Sequence, residues 1–236
     1  MTNSATDREL ERDVEKASSR FRELKMQIDR QYRSDFVSRR LLLVSTAIFA
    51  LLAPVGAAAK ADTWAIDKEH TNVSFSWNHL GLSRQTGRIL GVEGVLEFNP
   101  EAPEQSTLEV VLRVSSLWTG VETFDRLLTS ADFFASARHP AITFRSTAVK
   151  KISDKTGEVT GDLTIMGVTN PVILQVTWNF SGEHPMAPIN ANYKDKHVSG
   201  FSAATRILRS AWGVTRGIPL ASDEIEINIE TELMRK

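Results

Sequence analysis

The run VTGDLTIMGVTNPVILQVTWNF, residues 159–180, decides the fold. Val159, Gly161, Leu163 and Ile165 alternate with Thr160, Asp162 and Thr164, and Val172, Leu174, Val176, Trp178 and Phe180 repeat the same spacing further on. A period of two places each set on one face of an extended strand. The residues between them, Met166 to Pro171, carry Gly167 and Pro171 and are expected to form the loop of an antiparallel hairpin. Strands that are apolar on one face suit an antiparallel sheet and speak against a parallel α/β design.

The same period continues in both directions. Upstream it marks Val73 to His79, Leu90 to Phe98, Leu108 to Val114 and Ile142 to Ala148, and downstream Val198 to Leu208 and Glu224 to Leu233. The pattern therefore predicts eight strands. Asp154-Lys155-Thr156-Gly157 supplies a second hairpin turn. A single helix is expected over Glu122 to Phe134, where Phe124, Leu127, Leu128, Ala131 and Phe134 recur at three and four residues, and it is expected to lie across one end of the sheet. Pro140 then returns the chain to an extended conformation. Gly182 to Lys196, with Pro185 and Pro188, reads as a long loop of the lid or mobile kind. Eight such strands either close into a barrel, whose interior holds side chains or one small ligand, or stack as two sheets; alternation does not choose between these.

With 236 residues, 42% of them hydrophobic and 24% charged, the chain suits one globular domain plus additional segments. Its formal net charge of -1 gives no electrostatic footprint for nucleic acid. The absence of cysteine excludes disulfides, thiolate metal sites and thiol nucleophiles. The five histidines (70, 79, 139, 184 and 197) show no paired ligand spacing, and neither G-x-S-x-G nor a glycine-rich phosphate loop occurs, so neither a metal nor an enzyme activity is expected. Glu224, Glu226, Glu230 and Glu232 interleave with Ile225, Ile227, Ile229 and Leu233, as on the solvated face of a strand.

Three regions are expected along the chain: a charged extension at 1–37, an export signal at 38–61 and the folded domain at 62–236. Leu41 to Ala59 is apolar, but Pro54 and Gly56 interrupt it, leaving Leu41 to Ala53 against the roughly 20 residues that span a bilayer. It reads as the core of a signal peptide, and Ala57, Ala59 and Ala61 supply a small-residue cleavage pattern. Ser38-Arg39-Arg40 matches a twin-arginine signal, with an ordinary secretory signal as the alternative. Either route places the mature protein in the periplasm.

Five segments resemble, in content and order, the YceI-like family. They are Asp67-Lys68-Glu69-His70-Thr71; His79-Leu80-Gly81; Phe133-Phe134 with His139-Pro140-Ala141-Ile142-Thr143-Phe144; Gly161 to Val172; and Arg209-Ser210-Ala211-Trp212-Gly213. The resemblance extends over about Thr63 to Glu232. It implies an all-β fold with one short helix, an eight-stranded antiparallel lipocalin-like barrel that encloses a long isoprenoid or quinone-like lipid and needs no other cofactor. The residues it makes candidates for ligand contact are Phe75, Trp77, His79, Phe124, Leu128, Phe134, Phe144, Leu163, Ile165, Phe201, Arg209 and Trp212. His79 is either a rim histidine that closes the fold or a donor to a polar lipid head; His70 has a structural role near the first turn. Arg209 offers a guanidinium to a head-group oxygen, although Ala211 stands where family members often carry an acid. Transient membrane contact and a homodimer are the further partnerships expected. The alternatives are a secreted structural or stress-protective barrel without ligand, and an enzyme acting on an isoprenoid lipid.

Overall fold

Met166 and Gly167 reverse the chain in two residues, with Ile165 paired directly to Val168. Both turn residues have positive φ, 52° and 79°, the type I′ geometry whose twist matches that of the flanking strands. The turn is therefore tighter than the six residues expected from the sequence. Pro171 lies within the second strand, opposite Asp162. It is tolerated there because the next strand pairs only from Gln175 onward, which leaves an open side to take the missing N–H.

The computed structural model describes residues 61–236. The charged extension expected at 1–37 and, but for its last residue, the signal expected at 38–61 lie outside the described residues. In chain order the elements are β1 (Asp62–Ile66), β2 (Asn72–His79), β3 (Ser83–Ile89), β4 (Val92–Phe98), β5 (Thr107–Arg113), β6 (Leu117–Trp118), α1 (Glu122–Thr129), β7 (Ala141–Lys151), β8 (Thr156–Ile165), β9 (Val168–Glu183), β10 (His197–Leu208) and β11 (Glu224–Arg235). Every pairing is antiparallel. The order β1-β4-β5-β7-β8-β9-β10-β11 closes on itself through Trp64 with Arg235, Ala65 with Met234 and Ile66 with Leu233. Among the described residues the result is an eight-stranded barrel with one α-helix.

The ring is not made of the eight strands that alternation marks. β2, the first of those, pairs with Glu226 to Glu230 of β11, beyond the part of β11 that β1 occupies. Together with β3 and β6 it forms a flap on the ring. β1 takes its place in the ring but is only five residues long, too short for a periodic signal. β3 escapes the pattern because its inward face carries Gln85 and Gly87 before reaching Ile89, and Gly87 is required there because the Phe75 ring fills the space of a Cβ.

α1 ends at Thr129 rather than Phe134. Ser130 leaves helical geometry (ψ 170°) and its hydroxyl takes the Leu127 carbonyl, as serine does at helix ends. The chain then folds back, with the Phe134 N–H on the Leu128 carbonyl and the Ser136 N–H on Thr129, so the diphenylalanine still faces inward. The start of α1 is fixed by Asp125, whose carboxylate accepts from both the backbone N–H and the hydroxyl of Thr119 at 2.7 Å. Glu122 and Asp125 in the first turn and Arg126 in the last complement the helix dipole. The 182–196 segment, expected as a long loop of the lid or mobile kind, is organised around a His184–Tyr193 ring stack at 3.9 Å, and none of its residues lines the barrel interior.

Candidate functional site

Inward residues of the ring and flap enclose a cavity of about 930 Å³, at the upper end of the roughly 300–1,000 Å³ usual for ligand sites. Its wall follows directly from alternation: each strand turns one face in, so Val110, Phe144, Leu163, Val172, Ile207 and Ile227 converge from six different strands. Glutamates 224, 226, 230 and 232 alternate with Ile225, Ile227, Ile229 and Leu233, and the four apolar residues line the interior.

The two ends differ. At one end α1 and the turn after it bring Phe124, Leu127, Leu128, Phe133 and Phe134 to the cavity, beside His79, Gln85 and Ala221. At the other, Trp64, Phe98 and Leu233 form a buried cluster with Trp178 and Phe201 packed against it. Phe98 meets Trp178 and Phe201 edge-on at 5.2 and 5.5 Å, the arrangement that ring quadrupoles favour. The β7–β8 turn borders this end with Lys150, Lys151, Asp154 and Lys155, and the Lys155 ammonium sits 4.6 Å above the Trp178 ring. Among the described residues, the indole N–H of Trp64 is the buried side-chain polar group without a hydrogen-bond partner.

Of the residues marked in the sequence, Phe75, Trp77, His79, Phe124, Leu128, Phe134, Phe144, Leu163, Ile165, Phe201 and Arg209 line this one cavity. Trp212 does not. It is buried in the core cluster with Phe144, Leu163 and Ile165, its indole N–H on the Leu163 carbonyl at 2.9 Å, so it supports the wall residues without lining the cavity. Arg209 reaches the cavity, yet its donors go elsewhere: Nε to Ser222 O, Nη1 to Val214 O and Arg216 O, Nη2 to Ala221 O, all between 2.8 and 3.0 Å. One guanidinium thus holds the whole 213–223 loop, and burial draws its pKa below the ordinary arginine value while the nearby Asp223 opposes that. His79 sits at the rim, bridged to Ala221.

His70 lies outside the cavity. Its Nδ1 pairs with Asp67 Oδ2 at 2.9 Å, and Asp67 also accepts the Glu69 N–H, which shapes the link from β1 to β2. The hydrogen bond to Asp67, and the charges of Asp67 and Glu232, raise the His70 pKa. Glu232 brings a third ligand-type atom within 4.8 Å of the other two. That grouping was invisible as a spacing because β11 supplies its third member. The wall residues missed by the sequence reading, Val110, Val176 and Ile227 among them, carry the same alternation signal and needed only to be assigned to the inward face.

A model of the YceI-like domain matches residues 64–233. A UPF0312 protein of Pseudomonas savastanoi pv. phaseolicola is 34% identical over 196 residues, covering 82% of this chain and 97% of the relative. A YceI protein of Campylobacter jejuni superposes with a TM-score of 0.59 at 31% identity, covering 67% of this chain and 90% of that one. A polyisoprenoid-binding domain from Saccharophagus degradans shares the fold, with a TM-score of 0.54 at 11% identity over 73% of this chain and 98% of that one.

Proposed function

The chain belongs to the YceI-like domain family, and from that premise we propose that it is a periplasmic carrier or reservoir for a long isoprenoid lipid, of quinone or polyprenyl type, held inside the barrel. The observation that carries this reading is the cavity of about 930 Å³ with an apolar middle and polar groups near its ends. A tail in the middle gains roughly 0.8 kcal/mol per buried methylene, so it binds firmly with few polar contacts, while a polar head stays near an end. That a polyisoprenoid-binding domain shares the fold supports the ligand class.

Binding without catalysis is favoured by the wall itself. Asp154 is the one carboxylate among the lining residues, and it lies at the β7–β8 turn, at the far end from His79. Asp154 is held in an ion pair with Lys151 at 3.0 Å, on an exposed turn away from the apolar middle where a tail would lie, so it is engaged as a surface charge pair. No cofactor other than the lipid is required. Among the described residues no helix is long and apolar enough to cross a membrane; in this proposal the lipid is loaded from a bilayer by transient contact.

Native mass spectrometry of the protein purified from the periplasm of its own cells tests the proposal. A co-purifying isoprenoid lipid is the expected result. Turnover of that lipid would instead make the protein an enzyme, and a barrel without ligand would leave a structural or stress-protective role.

A further inference from the structure

Large apolar side chains are exposed around the helix-side mouth of the barrel. They stand on three separate segments: Leu80 and Leu82 on the β2–β3 turn, Ile218 and Leu220 on the 213–223 loop, and Phe124 and Leu127 on α1. Leu82 is 82% exposed and Leu220 61%. The segments are fastened to one another, since the Leu80 N–H donates to Leu220 O at 2.7 Å and Arg216 of the loop is ion-paired with Asp132, just after α1. Phe124 and Leu127 are each 40% exposed and also line the cavity, so along α1 the outer apolar surface is continuous with the inner one.

We infer that this mouth docks on a lipid bilayer, with the β2–β3 turn, the 213–223 loop and α1 dipping their apolar side chains into the membrane interface. The inference rests on the carrier reading for its purpose and adds the surface by which cargo enters. Three features favour a bilayer over a second copy. The six side chains stand on separate tips around an opening, where a rigid copy would meet them across a gap but a fluid interface conforms to them. The backbone at the tips is already satisfied: the N–H groups of Leu80, Gly81 and Leu82 donate within the chain to Leu220 O, Asn78 Oδ1 and His79 O, which removes the main cost of placing a loop in an apolar phase. Most rim cations are paired, Arg126 with Glu122, Arg216 with Asp132 and Arg84 with Glu226, which leaves Arg138 after α1 outside an ion pair among the described residues. Docking therefore depends on apolar insertion and not on anionic lipid.

The absence of cysteine permits a site-specific test. Leu82→Cys and, as a control at the opposite end of the barrel, Ile189→Cys are labelled with an environment-sensitive fluorophore and mixed with phosphatidylcholine vesicles, the labelled proteins having first been shown to melt like the parent. The expected result is a blue shift at position 82, none at 189, and no change when salt is raised. Adding Leu220→Ser to the Leu82→Cys protein lowers the vesicle-bound fraction at position 82 on the order of tenfold. No shift at 82, or equal shifts at both sites, overturns the inference. So does a shift at 82 that follows protein concentration without vesicles, which would assign the rim to a second copy. Uptake of a polyprenyl lipid is measured on the same samples. Insertion without uptake removes the carrier reading and leaves the docking surface standing; uptake without insertion removes the docking surface alone.

Discussion

A Cβ on Gly161 would stand 2.3 Å from Phe144 Cζ and 2.6 Å from the Arg145 carbonyl oxygen, so the inward Phe144 ring occupies the volume a side chain at 161 would need. Gly161→Val is expected to cost about 2–3 kcal/mol by overpacking, read as a lowered urea midpoint at unchanged slope; an unaltered midpoint would show that the ring moves aside freely. The glycine itself was visible in the sequence, as a gap in an alternating run, but the ring that demands it comes from a neighbouring strand. Arg209 illustrates the converse. Its partners are loop carbonyls, which the sequence does not index, so an arginine that reads as a head-group ligand is committed to its own backbone. His70 gives a pH signature. Because its pKa is raised in the folded protein, its contribution to stability is present in full below about pH 6.5 and is lost as pH rises through the folded value. The stability gap between the parent and His70→Gln should therefore narrow with rising pH in urea melts; a gap that stays constant would mean that the imidazole and Asp67 do not interact as ions.

Among the elements, α1 borders the cavity without pairing into the sheet. It has no buried residue and is anchored at its start by the Asp125 contacts to Thr119. Asp125→Ala is expected to cost about 1–2 kcal/mol locally. Hydrogen exchange should accelerate in α1 while the ring strands keep their protection; uniform acceleration would show that helix and barrel unfold as one unit. Helical periodicity located this element but overran its end, because Phe133 and Phe134 keep the apolar spacing after the backbone has left the helix at Ser130. Strands were legible wherever alternation ran over seven or more residues. β1 was too short for that, and β3 replaced its apolar positions with the residues needed to admit Phe75.

For the whole molecule, the fold class was legible because one face of almost every strand is apolar, whereas closure was not, since register between β1 and β11 leaves no local trace. The cavity assignment is testable by charge. Trp77→Glu and Leu163→Arg each set a charge against an apolar wall without a partner, and both are expected to abolish lipid retention while the protein still melts cooperatively. Glu226 lies between Arg84 and Arg206, so Thr177→Lys on the exposed face of β9 is the cleaner control. Folded cavity variants that retain the same lipid in the same amount would place the ligand elsewhere. The seam between β1 and β11 also sets an order of events. The Lys236 N–H donates to Thr63 O, the Asp67 N–H to Glu232 O, and β1, β2 and β10 all rest on β11. A partner this distant in sequence makes closure a late step of folding. Until β11 has left the ribosome the sheet has two open edges and no closed interior, so the nascent protein cannot shut prematurely, and loss of β11 would leave no barrel at all.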